Sequence, residues 1–210
     1  AVLYEILDHA RFAPSGGNRQ GGRVIVVRHQ ATKDEMARLA EPASKRYAAQ
    51  VAAGESPWNA VVPSGVSDEV IEKTSVPALL TEPLRRADVL LIFVVDLRVV
   101  AATDQSLGRV GIVGGASIYP LAWNTLLAAR RAGFGGTLTT ISVASEPQVK
   151  TLLDIPSSFA IAAVLPLGRP VKQLTRLRRL PVEDFTFTER FGGESLSSNQ
   201  SIRCKPEENE

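Results

Sequence analysis

The chain has 210 residues, of which 44% are hydrophobic and 22% charged, a composition typical of a globular domain. The net charge of +2 argues against a broad nucleic-acid-binding surface, and the longest apolar run, residues 89–95, is far shorter than the ~20 residues that cross a bilayer. A single cysteine, Cys204, excludes an internal disulfide framework and favours a reducing, cytoplasmic compartment. With only His9 and His29 present, no metal site is expected.

The first part of the chain predicts a helix, a strand and a second helix, at residues 2–13, 23–29 and 32–41. Pro14 ends the first helix, because proline is poorly tolerated inside one. The second helix opens on a capping box formed by Thr32 and Glu35 and runs to about Glu41.

Residues 42–81 carry no clear pattern, because several prolines and glycines interrupt short helical pieces. An irregular stretch of this length inside a domain is often a lid over an active site. A plain surface insertion is equally compatible with the pattern. Tyr47 and Trp58 are candidates for stacking on a ligand, although both could simply pack the insert.

The second part predicts strands, helices and a tail, at residues 88–96 (strand), 116–132 (helix), 137–143 (strand), 145–154 (helix), 159–167 (strand), 184–188 (strand) and 192–210 (polar, disordered tail). The unbroken apolar run of the first of these strands indicates that both its faces are covered. Gly133 ends the long helix, and a capping box formed by Ser145 and Gln148 opens the next. We therefore predict one layered helix–sheet domain at 1–192 and a tail at 193–210.

Two loops and one basic run could carry chemistry. Residues 14–20 combine paired glycines with short polar side chains, and residues 133–140 place glycines before threonines. The third candidate, Arg176, Arg178 and Arg179, offers guanidinium groups suited to a phosphate. Taken singly, these segments are also typical of a turn, a helix end and a solvated basic face. A dinucleotide-binding G-x-G-x-x-G is absent, because position 113 is valine.

In order along the chain, these pieces resemble the FMN-dependent nitroreductase family. The resemblance covers roughly residues 2–192 and is carried by residues 13–20 (APSGGNRQ), 116–130, 133–135 (GFG), 138–140 (LTT), 153–156 (LDIP), 165–170 (LPLGRP) and 179–181 (RLP). It implies an α+β fold, a three-layer α-β-α sandwich with a mainly antiparallel central sheet. It also implies a homodimer in which C-terminal segments are exchanged and two FMN sites lie between the subunits.

The resemblance also implies the residues of the FMN site, with no protein side chain acting as a catalytic acid or base. The residues expected along the ribityl-phosphate chain, against the ring and at the phosphate are Pro14, Ser15, Gly16, Asn18 and Gln20; Leu138, Thr139 and Thr140; and Arg179. Backbone or hydroxyl donors of the second group would lie near flavin N5. Three departures from the family pattern stand out. The chain starts after the point at which the family usually carries an Arg-rich, phosphate-binding segment. Gly22 stands where the family commonly has tryptophan, which leaves that packing in doubt, and the polar tail after Gly193 has no counterpart in the family.

The implied activity is a ping-pong transfer of reducing equivalents from NAD(P)H through flavin N5 to a small organic acceptor, such as a nitroaromatic, a quinone or an enone. Two alternatives stay open: a protein that binds or sequesters flavin without turnover, and a specialised relative that dehalogenates reductively or cleaves flavin. Neither nucleic acid nor membrane is expected as a partner.

Overall fold

The computed structural model describes residues 1–197, and contacts divide the chain into two units, Ala1–Val171 and Lys172–Glu210. The domain boundary near residue 192 stays a prediction. The helices of the first unit are α1 (Val2–Ala10), α2 (Gln30–Ala52), α3 (Asp68–Lys73), α4 (Ala78–Arg86), α5 (Tyr119–Arg131) and α6 (Glu146–Leu152). Its strands are β1 (Gly22–Val27), β2 (Val89–Asp96), β3 (Gly135–Gly136) and β4 (Phe159–Gly168).

The four strands form one sheet in the order β1-β2-β4-β3, and every neighbouring pair is antiparallel. In the middle of the sheet, Phe93 lies opposite Val24 on one side and Ala163 on the other. The predicted antiparallel sheet is thereby confirmed. Strands β1 and β3 occupy its two edges, and this places the two candidate loops on opposite sides of the sheet.

The side chains of β2 contribute alternately to two separate hydrophobic cores, because successive side chains of a strand point to opposite faces. Leu90 and Ile92 pack with buried residues of α2, α4 and α6, whereas Leu91 and Phe93 pack with buried residues of α1 and α5. Helices therefore cover both faces of the sheet. The structure confirms the three-layer α-β-α arrangement and the burial of β2 on both sides.

Helix α2 begins earlier and ends later than the sequence predicts. It starts at Gln30 after His29, so the predicted capping box at Thr32 is wrong, and it passes through Pro42 to Ala52. The ring of Pro42 is exposed, while alanines on the opposite face of the helix are buried. Close packing through this small-residue face outweighs the hydrogen bond that proline removes.

The segment after α5 corrects two further predictions. Gly133 ends the helix with φ of 82° as expected, but residues 137–143 are not a strand. Only Thr139 bridges to Val164, and a 3₁₀ helix follows at Ile141–Ser145, because Ile141 and Val143 turn inward against the core. The predicted helix α6 is present, although Ser145 does not cap it.

The second unit contains no strand at residues 184–188, so that prediction is wrong. A 3₁₀ helix at Val182–Asp184 is followed by irregular chain, in which the rings of Phe187 and Phe191 lie 5.0 Å apart. Of the two alternating phenylalanines, Phe187 thus has a local ring partner, and Phe185 is exposed. The part of the predicted disordered tail at residues 198–210 lies outside the described residues.

Candidate functional site

The loop between α1 and β1 is held in an unusual backbone conformation. Gly17, Asn18 and Gln20 have φ of 59°, 52° and 49°, and two of the three are not glycine. Such left-handed residues cost free energy and persist where surrounding contacts fix them, often at functional sites. Two contacts do so here: the Gln20 N–H donates to Ser15 Oγ at 3.0 Å, and the Gly16 N–H donates to Ser117 Oγ at 3.2 Å.

This first loop borders a small cavity of about 170 Å³ that also has guanidinium groups in its wall. The predicted residues that line it are Pro14, Ser15 and Gln20, whereas Gly16 and Asn18 shape the turn. Arg11 and Arg23 line it as well. Arg23 donates to the carbonyls of Gln20 and Gly22 at 2.8 and 2.7 Å, so the loop's own backbone positions it. The cavity suits an anionic or hydroxyl-bearing chain.

Gly22, where the sequence departs from the family pattern, has a structural explanation. A Cβ added there would lie 3.0 Å from Ile118 Cδ1 and 3.3 Å from Leu121 Cδ2. The start of α5 therefore packs directly on the backbone at the beginning of β1. A tryptophan would need the space that these two side chains occupy, so the packing that was in doubt is supplied by α5.

The loop after β3 is fixed by its register with β4. Thr139 and Val164 exchange both backbone hydrogen bonds, at 3.0 and 2.9 Å. The Thr139 N–H is therefore already used and is not a free donor. Its hydroxyl accepts from the Ile141 N–H at 3.3 Å, which leaves the hydroxyl proton to donate elsewhere.

This second loop borders a larger, mostly apolar cavity of about 630 Å³. Leu138, Thr139 and Thr140 line it as a group. The rest of the wall comes from the 3₁₀ helix that follows, from α2 and the segment after it, and from α4. These residues are Ile141, Val143 and Ala144; Tyr47, Pro57 and Trp58; and Leu80. The sequence identifies Tyr47 and Trp58 only as candidates for stacking on a ligand, and the structure places both at this cavity.

The two loops line separate cavities in the first unit. They lie at opposite edges of the sheet, and three strand spacings of about 4.8 Å put those edges roughly 14 Å apart. The first cavity, at about 170 Å³, is smaller than the ~300 Å³ at which ligand pockets begin. Arg179 belongs to the second unit, where it is exposed and donates to the Arg178 carbonyl at 2.7 Å. Its role at the site stays a prediction.

No sequence pattern identifies the loop that places Ser117 beside the first candidate loop and its cavity. Its anchor is Asp104, a buried carboxylate that accepts from the N–H groups of Ile112 and Val113 at 2.7 and 3.2 Å and from Arg109 at 2.9 Å. The backbone hydrogen bond from Ile112 and the Arg109 guanidinium lower the pKa of Asp104 to about 2, against the desolvation that raises it. An aspartate eight residues before a backbone donor forms no recognisable motif.

An apolar stripe runs along the exposed side of α5. Tyr119, Trp123 and Leu127, four residues apart, are 42%, 58% and 50% exposed. Residues at this spacing share one face of a helix. Contiguous exposed apolar surface of this kind marks an interaction site more often than a solvent-facing helix.

Comparison with known families shows which family the chain belongs to. The sequence profile described as Nitroreductase family matches residues 1–169. The chain belongs to the nitroreductase family. A comparison with curated protein sequences gives no match.

Solved structures share the fold of this nitroreductase-family chain. One is oxidized iodotyrosine deiodinase bound to FMN and 3-iodo-L-tyrosine, with 21% identity, a TM-score of 0.62 and coverage of 90% of this chain and 88% of that one. Another is NfrA2 of B. megaterium, with 19% identity, a TM-score of 0.62 and coverage of 90% and 65%. A third is the NADPH:FMN oxidoreductase of Vibrio harveyi complexed with NAD+, with 18% identity, a TM-score of 0.60 and coverage of 93% and 70%. At these identities the likeness shows the fold.

The chain thus spans nearly the whole deiodinase structure but less than two thirds of NfrA2. Within residues 1–197, no helix is both long and apolar enough to cross a bilayer. The family and its fold, together with the residues of both loops, support a flavin-dependent oxidoreductase. In kind, those residues fit FMN: the first loop offers small polar groups beside guanidinium groups, and the second an apolar wall with threonine hydroxyls.

Proposed function

We propose that this chain is an FMN-dependent NAD(P)H oxidoreductase that reduces small organic acceptors, such as nitroaromatics, quinones or enones, and works as a homodimer. The observation that carries the proposal is the division of the candidate site into two complementary halves. A polar, guanidinium-bordered cavity lies at one edge of the sheet, and an apolar cavity with free hydroxyl protons lies at the other.

Each half has its own task at the flavin. The first loop, with Pro14, Ser15, Gly16, Asn18 and Gln20, holds the ribityl-phosphate chain through backbone N–H groups and short side chains. Ser117, a residue that the sequence did not bring forward, fixes the position of Gly16 there. Arg179 adds a guanidinium at the phosphate, as the family resemblance implies.

The second loop faces the ring. Leu138 supplies an apolar surface, and the hydroxyls of Thr139 and Thr140 supply donors at the ring edge near N5. For Thr139 the hydroxyl is the donor that remains, because its N–H is bonded to Val164. Bound FMN would supply the two-electron chemistry between the nicotinamide and the acceptor, so the chain itself would need no catalytic acid or base.

A second copy of the chain brings the halves together. Neither sheet edge of one protomer has both a polar cavity for the ribityl-phosphate chain and an apolar cavity for the ring. The exposed stripe of Tyr119, Trp123 and Leu127 on α5 supplies an apolar face for association. Two-fold pairing is self-complementary, so one interface would create two equivalent sites. Exchange of C-terminal segments would extend the same interface. The single cysteine is in keeping with a cytoplasmic location.

Known relatives support the chemistry of this proposal. The deiodinase structure is described as bound to FMN, and the Vibrio harveyi enzyme as an NADPH:FMN oxidoreductase complexed with NAD+. Both share the fold of this chain at low identity. They support FMN as cofactor and a reduced nicotinamide as donor, while the acceptor rests on the character of the apolar cavity alone.

Anaerobic reduction of the purified protein tests the proposal. We expect a yellow protein whose visible flavin band bleaches on addition of NADH or NADPH and returns on addition of a quinone or nitroaromatic. A flavin band that stays unchanged with both donors would contradict the proposed reaction. Stoichiometric flavin without acceptor-dependent nicotinamide oxidation would instead favour flavin sequestration, and halide release from a halogenated phenol would favour the dehalogenase alternative.

A further inference from the structure

Trp58 is held in a conformation that its own packing does not explain. Its φ is 56°, a left-handed value that a bulky side chain rarely adopts, yet its side chain remains 45% exposed. The backbone N–H of Trp58 donates at 3.2 Å to Oε1 of Gln50, a residue only 2% exposed. A strained backbone that presents an exposed aromatic ring, fixed by a buried amide, is an arrangement that occurs at ligand sites.

The segment around Trp58 is folded back on itself by further hydrogen bonds. Glu55 accepts from the Ser64 hydroxyl at 2.6 Å and from the Gly65 N–H at 2.7 Å. These bonds, that of Ser64 foremost, lower the pKa of Glu55 and keep it a carboxylate. The insert is thus pre-organised, and Trp58 is presented by a fixed loop.

Trp58 also stands between two cavities of different character. On one side is the apolar cavity of about 630 Å³ shared with Leu138 and Thr139, and on the other a polar cavity of about 500 Å³ lined by Arg46 and Glu55. The Arg46 guanidinium lies 4.5 Å from the centroid of the indole ring. The Arg46 cation therefore covers part of the indole ring, and Trp58 also contributes to the wall of the apolar cavity.

We propose that Trp58 is a specificity-determining residue for the acceptor, which it receives as a planar aromatic or quinonoid molecule stacked against its indole. The acceptor then lies in the apolar cavity between Trp58 and the ring-facing loop, with Leu80 of α4 as a second wall. Stacking of this kind favours flat molecules over compact ones of similar reactivity. The proposal rests on the proposed function and adds the residue that selects the acceptor.

Variants of the holoprotein test this assignment with two acceptors, a 1,4-naphthoquinone and hexacyanoferrate(III), an electron acceptor with no planar face. We expect Trp58→Ala to raise the KM for the naphthoquinone by a factor about 3 to 10 times larger than the factor by which it raises the KM for hexacyanoferrate. Trp58→Phe is expected to bring the KM for the naphthoquinone most of the way back to the wild-type value. Leu80→Ala is expected to act in the same direction. Its matched control is Leu79→Ala, since Leu79 is 84% exposed and does not contribute to that cavity wall.

Ligand binding gives a second readout that needs no turnover. The naphthoquinone is titrated into oxidised holoprotein without nicotinamide, and quenching of Trp58 emission is taken as the difference between wild type and Trp58→Phe. Quenching that saturates supports the assignment if binding to Trp58→Ala, followed by the change that the quinone causes in the visible flavin band, is weaker than binding to wild type measured in the same way. If flavin content and reduction by NAD(P)H are normal while Trp58→Ala binds the quinone as wild type does, the inference alone fails. If the wild-type protein holds no flavin, the proposed function fails and the inference with it.

Discussion

The two half-sites are built by different physical means. At the first loop, left-handed residues and hydrogen bonds to Ser15 and Ser117 shape the backbone itself, and the resulting cavity is small and polar. At the second loop, pairing of Thr139 with β4 fixes an ordinary backbone, and side chains of the insert enlarge an apolar cavity. The first is suited to hold a flexible anionic chain, and the second to present a flat wall. On the proposed function, this difference means that neither cavity is a complete site alone.

Separating the subunits should have the largest effect, because it removes one half-site from the other. We expect Trp123→Glu to place a charge in the apolar stripe of α5, convert the proposed dimer to a monomer and abolish flavin binding. Light scattering during size-exclusion chromatography measures the oligomeric state, and the flavin-to-protein absorbance ratio measures the flavin content. Leu79→Glu, another exposed leucine changed to the same charge, is the control. A Trp123→Glu protein that stays dimeric and yellow would contradict the interface.

The second half-site can be disrupted without touching the first. A Cβ at Gly136 would lie 2.4 Å from both Leu167 Cδ2 and the Pro166 carbonyl oxygen, so Gly136→Ala must push β3 away from β4. We expect a loss of about 1–3 kcal/mol in the free energy of unfolding. Urea denaturation measures it, and a slower reduction of bound flavin should accompany it. Gly108→Ala, at a position with no atom within 4 Å, should change neither quantity. Equal stability of the two variants would refute the tight register.

The first half-site should respond more mildly to loss of one hydroxyl. Ser15→Ala removes the acceptor of the Gln20 N–H and relaxes the left-handed turn. A hydrogen bond of this kind contributes about 0.5–1.5 kcal/mol, so we expect flavin affinity to fall roughly 2- to 10-fold with little change in the rate of flavin reduction. Titration of the apoprotein with FMN, followed by flavin fluorescence, measures the affinity. Ser106→Ala, at an exposed serine of another loop, is the control. Unchanged affinity would place the flavin elsewhere.

Much of the fold could be predicted because its signals are local. The apolar runs of β2 and β4 and the amphipathic spacing of α1 are properties of neighbouring residues, and Gly133 ends α5 where expected. The error at Pro42 has a different origin. Proline lowers local helix propensity, but burial of alanines along the whole length of α2 is a tertiary effect that a local pattern does not contain.

The candidate site was predicted less completely for the same reason. Residues 14–20 and 138–140 could be brought forward as candidates because they resemble family motifs, and Trp58 as a candidate for stacking. Ser117 lines the first cavity only through folding of a distant segment. The sequence also does not show which group of Thr139, the backbone N–H or the hydroxyl, remains able to donate a hydrogen bond to a ligand. Its β-branched neighbours predict a strand, but the single bridge to Val164 that uses its N–H depends on where β4 leaves its edge open.

The smallest predicted effect concerns the support of the first half-site at Asp104. Its pKa is lowered from 3.8 to about 2 in the folded protein, chiefly by the Ile112 N–H. A carboxyl group with a lowered folded pKa stabilises the protein above its unfolded pKa, and that contribution is lost as the pH falls from about 4 to about 2. Asp104→Asn should therefore be less stable than wild type at neutral pH, and the difference should shrink across this window.

Urea midpoints of both proteins, measured at several pH values, give that difference directly. Asp96 also has a pKa lowered to about 2, by its hydrogen bond with Arg98, so the wild-type curve alone does not isolate Asp104. Subtracting the curve of Asp104→Asn cancels the part due to Asp96, which both proteins share. A difference that is constant with pH would mean that the Asp104 charge contributes nothing to the stability of the loop that leads to Ser117.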